Sequence, residues 1–569
     1  MRRRDFLAGA AASPALFGQA PAVSRNAARN RPNILLLFTD EQRFDALGCM
    51  GNPHIRTPNL DRLAASGVRF VNAFTPSPIC VAARMSLISG HRARITRVPS
   101  NSVLPGGPAR LPTIMDALGE AGYTTHAIGK MHFGGRHYGL HRHETMEEAP
   151  SLRIDDDYLL YLKHRGVRTR YPQGLRDLLY LQPQTSGMAL EHSQNSWIAN
   201  RSIAFLREHQ RHRGARPFFL WASWIAPHPP FAPCEPYDKA YDPAKMPLPY
   251  YGERPLATLP APSWRERARM DGAQEDPERL RRLKALYYGQ ISHIDDAAGR
   301  ILAELERLGM AENTVIFFTS DHGEMLGDHG LGHKSVPYEP STHVPFLLRW
   351  PGKTEAGRVR NDLVSLTDIF PTILDGLGLR YPVAAAPAPS GLSLVSAEGG
   401  GCAQPRSAFV SEYGADANRW MSVRTQTHKF NFWAMGGREE LFDLQADPQE
   451  KVNLVPSNKA LAASMREQVL DWERREGLHE SFDGGRLRTF EHPPVPATTP
   501  RDVMINEGRW PEALPQDERA GVETYAEAFD RAIAHETTLT PAKVSISTYK
   551  KRGGHSLEGT AWEAEWRRA

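Results

Sequence analysis

Asn33-Ile34-Leu35-Leu36-Leu37-Phe38-Thr39 holds an apolar run from Ile34 to Phe38 and stops on two carboxylates, Asp40 and Glu41. A short run with no polar alternation reads as a strand buried on both faces, which is the habit of parallel sheets covered by helices. Three more runs repeat it. Thr124-Thr125-His126-Ala127-Ile128-Gly129 ends at Lys130 and His132, Pro217 to Trp224 runs toward His228, and Val315-Ile316-Phe317-Phe318-Thr319-Ser320 ends at Asp321 and His322. Helical spacing appears between them, over Asn59 to Gly67, Thr113 to Gly122 and Ser292 to Gly309. Strands alternating with helices predict a doubly wound α/β sheet, whose ligand crevice lies beyond the carboxyl ends of its strands. The polar residues at the four strand ends are therefore expected on one rim.

A chain of 569 residues exceeds what one core usually holds, so two domains are expected. A Pro, Ala and Gly-rich stretch from Tyr381 to Gly401 reads as a linker. Beyond it, alternating segments and a helix over about Lys459 to Glu476 predict a smaller α+β domain with an antiparallel sheet over residues 405–480. Residues 481–569 read as an extension that wraps the body or a neighbouring subunit, which would give a homo-oligomer; disorder is the alternative. Residues 135–195, polar and aromatic by turns, are expected to form insert loops over the crevice.

With 69 basic and 65 acidic side chains the formal charge is +4, which leaves no broad basic face and argues against nucleic acid as a partner. Four cysteines, Cys49, Cys80, Cys234 and Cys402, are too few and too scattered for a disulfide scaffold. Arg2-Arg3-Arg4-Asp5-Phe6-Leu7 leading into a small apolar run resembles a twin-arginine signal over residues 1–22, with Ala20-Pro21-Ala22 as its cleavage site. That predicts export of the folded protein to the bacterial periplasm by the twin-arginine machinery; an ordinary cleavable signal or a basic tail is the alternative.

Cys80-Val81-Ala82-Ala83-Arg84-Met85-Ser86-Leu87-Ile88-Ser89-Gly90 puts its cysteine near the start of a short helix, where backbone N–H groups favour negative charge. A lone cysteine is by default a packing thiol. A cysteine-dependent phosphatase loop would need an arginine six positions after the cysteine, where Ser86 stands. Arg84 at the fourth position and the Ser89-Gly90 ending instead resemble the signature of the type I, formylglycine-dependent sulfatases of the alkaline phosphatase-like superfamily. The resemblance spans about residues 30–455. It includes Pro32-Asn33-Ile34, Thr57-Pro58-Asn59-Leu60-Asp61-Arg62-Leu63, Gly129-Lys130-Met131-His132, Pro227-His228-Pro229 and Ser320-Asp321-His322-Gly323, in the family's order. Ala82 stands where the family often has Pro, Glu41 where it often has Asp, and His322 where Asn or His occurs.

The resemblance implies an alkaline phosphatase-like α/β/α catalytic domain over residues 30–400, with a mixed, mostly parallel sheet. It implies hydrolysis of a sulfate ester, of a sulfated small molecule or saccharide, by a formylglycine that a cytoplasmic maturation enzyme makes from Cys80. Asp40, Glu41, Asp321 and His322 would ligate one divalent cation per subunit, Ca²⁺ by resemblance, Glu41 less firmly because its extra methylene moves the carboxylate. One hydroxyl of the aldehyde hydrate attacks sulfur, and sulfate later leaves by elimination as the aldehyde reforms. Arg84 and Lys130 would orient the hydrate, His132 take the elimination proton, and Lys334 with His228 contact sulfate and assist the leaving oxygen. His329 and His333 are expected to be loop histidines and Asn101 to sit at the rim. Tyr138, His192 and Trp224 are candidates for substrate contact or for packing. Two rivals stay open: a phosphonate monoester or phosphodiester hydrolase using the same modified residue, and a binding protein in which Cys80 is never converted.

Overall fold

The computed structural model describes residues 31–495 apart from 134–135, 148–155, 168–180, 182, 184, 212–215, 251–258, 271–275, 383–386 and 479–480. The expected signal, residues 496–569 of the expected extension and much of the 135–195 insert lie outside the described residues.

Eight strands form the main sheet: β1 (Asn33–Asp40), β2 (Val68–Phe74), β3 (Thr124–Gly129), β4 (Arg142–Thr145), β5 (Phe218–Pro227), β6 (Thr314–Ser320), β7 (Phe346–Arg349) and β8 (Arg358–Ser365). Their order is β4-β3-β5-β1-β6-β7-β2-β8. The four apolar runs of the sequence are β3, β5, β1 and β6, which stand side by side as parallel neighbours. β7 pairs antiparallel with both β6 and β2, so the sheet is mixed but mostly parallel.

Alternation along the strands divides the core into two faces. Leu35 and Leu37, with Leu220, Ala222, Ile316 and Phe318, face the helices Gln194–Arg211, Pro277–Arg307 and Pro58–Ala65. Ile34, Leu36 and Phe38, with Phe219, Trp221, Val315 and Phe317, face the helices Cys80–Ser89, Ile114–Glu120 and Ile369–Leu377. Each large apolar side chain so enclosed contributes about 1.5–3 kcal/mol. Thr113 and Asp116 close a reciprocal capping box at the start of Ile114–Glu120. The helix expected from Ser292 begins at Pro277 and runs 31 residues, because Asp276 caps it and Leu280, Leu283, Leu286 and Tyr287 extend the apolar stripe upstream.

The smaller unit is an antiparallel sheet of β9 (Ala408–Tyr413), β10 (Trp420–Thr425), β11 (His428–Trp433) and β12 (Arg438–Asp443), in the order β12-β11-β10-β9. One face, Met421, Val423, Phe430, Phe432 and Leu441, packs on Met465, Val469 and Trp472 of the helix Lys459–Glu476. The opposite face puts Trp420, Trp433 and Phe442 against Met325, Leu331, Val336 and Tyr338 of the large domain. The intervening stretch reads as a linker in composition, yet Leu394 and Cys402 are buried against the large core.

Candidate active site

Parallel register brings the strand ends level. Thr39 lies opposite Ser320, Asp40 opposite Pro227 and Gly129 opposite Ser223, so Asp40, Lys130, His228 and Asp321 leave the sheet on one rim. Gly129 has φ +101°, and a Cβ there would lie 2.0 Å from the Ser223 carbonyl oxygen, so only glycine lets β3 turn Lys130 inward.

Cys80 is the first residue of its helix and is buried, yet polar groups surround its sulfur. Sγ lies 3.2 Å from His322 Nε2, 3.7 Å from Asp40 Oδ1 and 3.8 Å from Lys130 Nζ. A packing thiol would sit among hydrocarbon; this one sits among charges. Arg84, one turn along the same helix face, is fully buried and spreads its guanidinium over the rim. Nε donates to Asp321 Oδ2 at 2.9 Å, Nη2 to Asp40 Oδ2 at 2.9 Å, and Nη1 to the Lys130 carbonyl at 2.6 Å. Lys130 Nζ closes the group 2.6 Å from Asp40 Oδ2.

Asp40, Cys80, Asp321 and His322 bring four ligand atoms within 4.8 Å of one another, all from buried side chains. His322 Nδ1 donates to the Gly323 carbonyl at 3.1 Å, which leaves Nε2 as the atom that faces the other three. Burial raises the Asp321 carboxyl, and the charge of Asp40 raises it further. Burial would raise Asp40 too, but Lys130, His228, Arg84 and His322 outweigh it and hold its carboxyl well below the usual range. Burial lowers the His322 imidazole, while Asp321 and the neighbouring sulfur lift it to about 9. Two crowded carboxylates and an oriented imidazole nitrogen, sealed from water, form a donor set that fits a hard divalent cation.

Glu41 departs from the expected ligand set. Its φ of +65° turns it away from Asp40, and its carboxylate joins a second buried group with His228 and His333. Oε1 accepts from His333 Nδ1 at 2.9 Å, and Oε2 accepts from Lys334 Nζ at 2.5 Å and lies 3.3 Å from His228 Nε2. Burial opposes ionisation, yet Lys334, His333 and His228 hold Glu41 well below the usual carboxylate range. The two groups share a wall, since the Glu41 backbone N–H donates to Asp321 Oδ1 at 3.1 Å.

The structure thus gathers Asp40, Cys80, Arg84, Lys130, Asp321 and His322 on one side and Glu41, His228 and Lys334 on the other. His132 follows in a left-handed turn, φ +60°, where its backbone N–H donates to the Glu147 carboxylate. Asn101 accepts from the Val81 N–H at 3.0 Å, beside the start of the Cys80 helix. His333, expected to be a loop residue, bonds Glu41 at 2.9 Å, whereas His329 stacks on Tyr338. Trp224 is fully buried in the core, His192 bonds Tyr161 and Tyr138 packs on Phe133, so the described contacts of these three are packing contacts. Ser223 and Glu324 carried no signal beyond their places near strand ends. Ser223 Oγ meets Arg84 and the Lys130 carbonyl. Glu324 Oε1 accepts from the N–H groups of Leu326 and His333, and burial beside Glu41 raises its carboxyl well above the usual range.

A family model described as Sulfatase matches residues 32–379, and one described as N-sulphoglucosamine sulphohydrolase, C-terminal, matches residues 327–475. The chain is 32% identical to an arylsulfatase of Clostridium perfringens over 499 residues, 80% of this chain and 97% of that one. It is 28% identical to a choline-sulfatase of Rhizobium meliloti over 496 residues, 83% and 95% of the two chains. Among solved structures, a phosphonate monoester hydrolase of Agrobacterium radiobacter matches with a TM-score of 0.66 at 26% identity, covering 78% of this chain and 96% of that one. The strand-end group around Cys80 falls within the residues that the first model matches, and the chain is a hydrolase that belongs to the sulfatase family, in the alkaline phosphatase-like superfamily.

Proposed function

We propose that the enzyme hydrolyses a sulfate monoester of a small molecule or saccharide, using a formylglycine hydrate made from Cys80 and a divalent cation, Ca²⁺ in the simplest case. The observation that carries this reading is the setting of Cys80 Sγ, at a helix start with His322 Nε2 at 3.2 Å, Asp40 Oδ1 at 3.7 Å and Lys130 Nζ at 3.8 Å. Groups that receive hydroxyl oxygens and favour their ionisation are what such a hydrate requires. The hydrate supplies one hydroxyl to attack sulfur and a second whose ionisation expels sulfate.

Asp40, Asp321 and His322, with residue 80, would hold the cation, which would offset charge on the ester oxygens. Arg84 keeps the two carboxylates apart and directed. Lys130 puts positive charge beside the nucleophile, at no reorganisation cost because Asp40 already anchors it. Lys334 and His228 supply donors for the ester anion, and His132 is assigned the elimination proton. Glu41 reduces the positive charge around Lys334 and His228, which suits a singly charged ester.

Two measurements test the reading. Mass spectrometry of the peptide spanning residue 80, from protein made in its native host, is expected to show the aldehyde in place of the thiol; unmodified thiol throughout would overturn it. Turnover of an aryl sulfate is expected to exceed that of a phosphodiester. The reverse order would favour phosphonate monoester or phosphodiester hydrolysis, a reading supported by the likeness to the Agrobacterium hydrolase.

A further inference from the structure

Lys334 lies between two non-glycine residues in the left-handed region, His333 at φ +62° and Ser335 at φ +73°. Side chains there are strained, and such a turn persists only where surrounding contacts hold it. The holds come from three separate parts of the chain. Glu324 Oε1 accepts the His333 N–H at 2.6 Å, and the His333 carbonyl accepts the Met325 N–H at 2.7 Å. The Ser335 N–H donates to the carbonyl of Pro78, two residues before Cys80, at 3.1 Å. The Ser335 carbonyl accepts from Trp420 Nε1, in the smaller sheet, at 2.8 Å.

Trp420 is a rigid anchor. Its ring is fully buried, packs with Val336 and Tyr338, and sits on β10, which is fixed in register between β9 and β11. We propose that Trp420 is a positioning residue of the active site: its indole N–H, through the Ser335 carbonyl, sets where Lys334 places its ammonium beside Glu41 and His228. The smaller domain then acts on catalysis through the Ser335 carbonyl. The inference rests on the reading that Lys334 binds the ester anion.

The structure also supplies a matched control. Trp433 lies directly opposite Trp420 in the strand register and in the same apolar cluster, but its indole N–H goes to Glu440 at 3.1 Å, within the smaller domain. Loss of packing affects both tryptophans; only the Trp420 N–H bonds the Lys334 turn directly, since Glu440 reaches that segment no nearer than the Tyr338 hydroxyl, at 3.1 Å.

The test measures inorganic sulfate affinity by calorimetry and kcat/KM on an aryl sulfate, with full-length, metal-loaded enzyme and its melting temperature alongside. Trp420→Phe is expected to weaken sulfate binding ~3- to 10-fold, the scale of one hydrogen bond, with kcat/KM falling in step. Trp433→Phe is expected to lower the melting temperature similarly while sulfate affinity stays within about twofold. In a Lys334→Ala background, Trp420→Phe is expected to change neither sulfate affinity nor kcat/KM further. An undiminished Trp420→Phe effect in that background, or an equal effect from Trp433→Phe, overturns the proposal. Lys334→Ala enzyme that binds sulfate and turns over like wild type would instead overturn the reading of Lys334 itself. Should Trp420→Phe not fold, benzothienylalanine at position 420 removes the N–H while keeping the ring's shape, and the same outcomes decide.

Discussion

Arg84 Nε donates to Asp321 Oδ2 at 2.9 Å, with both side chains sealed from solvent. The other arm of the guanidinium takes Asp40 Oδ2, so each carboxylate keeps Oδ1 for the cluster around Cys80 and His322. Lysine preserves the charge but lacks the fork needed to span two carboxylates. Arg84→Lys is expected to fold and to lose roughly 100-fold in kcat/KM, the scale of an ångström-sized misplacement in an active site. Arg84→Met leaves two buried carboxylates without this counter-charge and is expected to cost about 3–5 kcal/mol in urea unfolding. An Arg84→Lys enzyme within about threefold of wild type in kcat/KM would deny the guanidinium its directing role.

Removing the proposed cation should expose the same repulsion. Burial and Asp40 already push Asp321 upward, so a metal-free site keeps two carboxyls in conflict. Chelation is expected to abolish turnover and to lower stability by about 2.7 kcal/mol relative to Ca²⁺ at a hundred times its dissociation constant. Calcium should restore both in a thermal melt and an activity assay. Full activity after exhaustive chelation would count against a catalytic cation.

The centre of the sheet was legible because β1, β5 and β6 are enclosed on both faces and so are mainly apolar runs, while the equally buried β3 carries Thr125 and His126 and shows the pattern only in Ala127-Ile128. β4 and β8 are the edge strands, where exposure permits sequences such as Arg142-His143-Glu144-Thr145 that carry no strand pattern. The same limit applies in the site. Residues at strand ends and in the Cys80 helix could be read locally, because a strand or helix places its own side chains. Glu41 could not, since a left-handed backbone reverses its direction. His333 and Glu324 were missed because nine residues separate them, and only the folded loop brings the Glu324 carboxylate onto the His333 N–H.

Glu41 offers a direct check on which side chains would hold the proposed cation. It bonds Lys334 and His333 outside the group formed by Asp40, Cys80, Asp321 and His322. Glu41→Gln is expected to retain one divalent cation per chain. Asp321→Asn is expected to lose the cation. Metal content by mass spectrometry and calcium titration would separate the two, and loss of the cation from Glu41→Gln would return Glu41 to the ligand set. The same variant should bind sulfate with altered affinity, because Lys334 and His228 lose their carboxylate neighbour.

Stability toward acid should depend on a histidine outside the groups around Cys80 and Glu41. His293 stacks on Tyr237 at 4.3 Å, with Nε2 near the hydroxyls of Ser193 and Ser196, and burial pushes its imidazole from 6.5 down to about 3, the charge of Arg300 adding to the effect. Between those values the unfolded chain takes up a proton that the folded protein refuses. Its contribution is therefore fully present above pH 6.5 and is lost progressively as pH falls toward 3. At pH 5 the loss amounts to about 2 kcal/mol, from 1.36 kcal/mol per unit over about 1.5 units. His293→Gln keeps a polar side chain without titrating, so its unfolding free energy in urea should fall about 2 kcal/mol less than that of wild type between pH 7 and pH 5. Parallel pH profiles for the two proteins would show that His293 titrates in the folded state as it does in the unfolded chain.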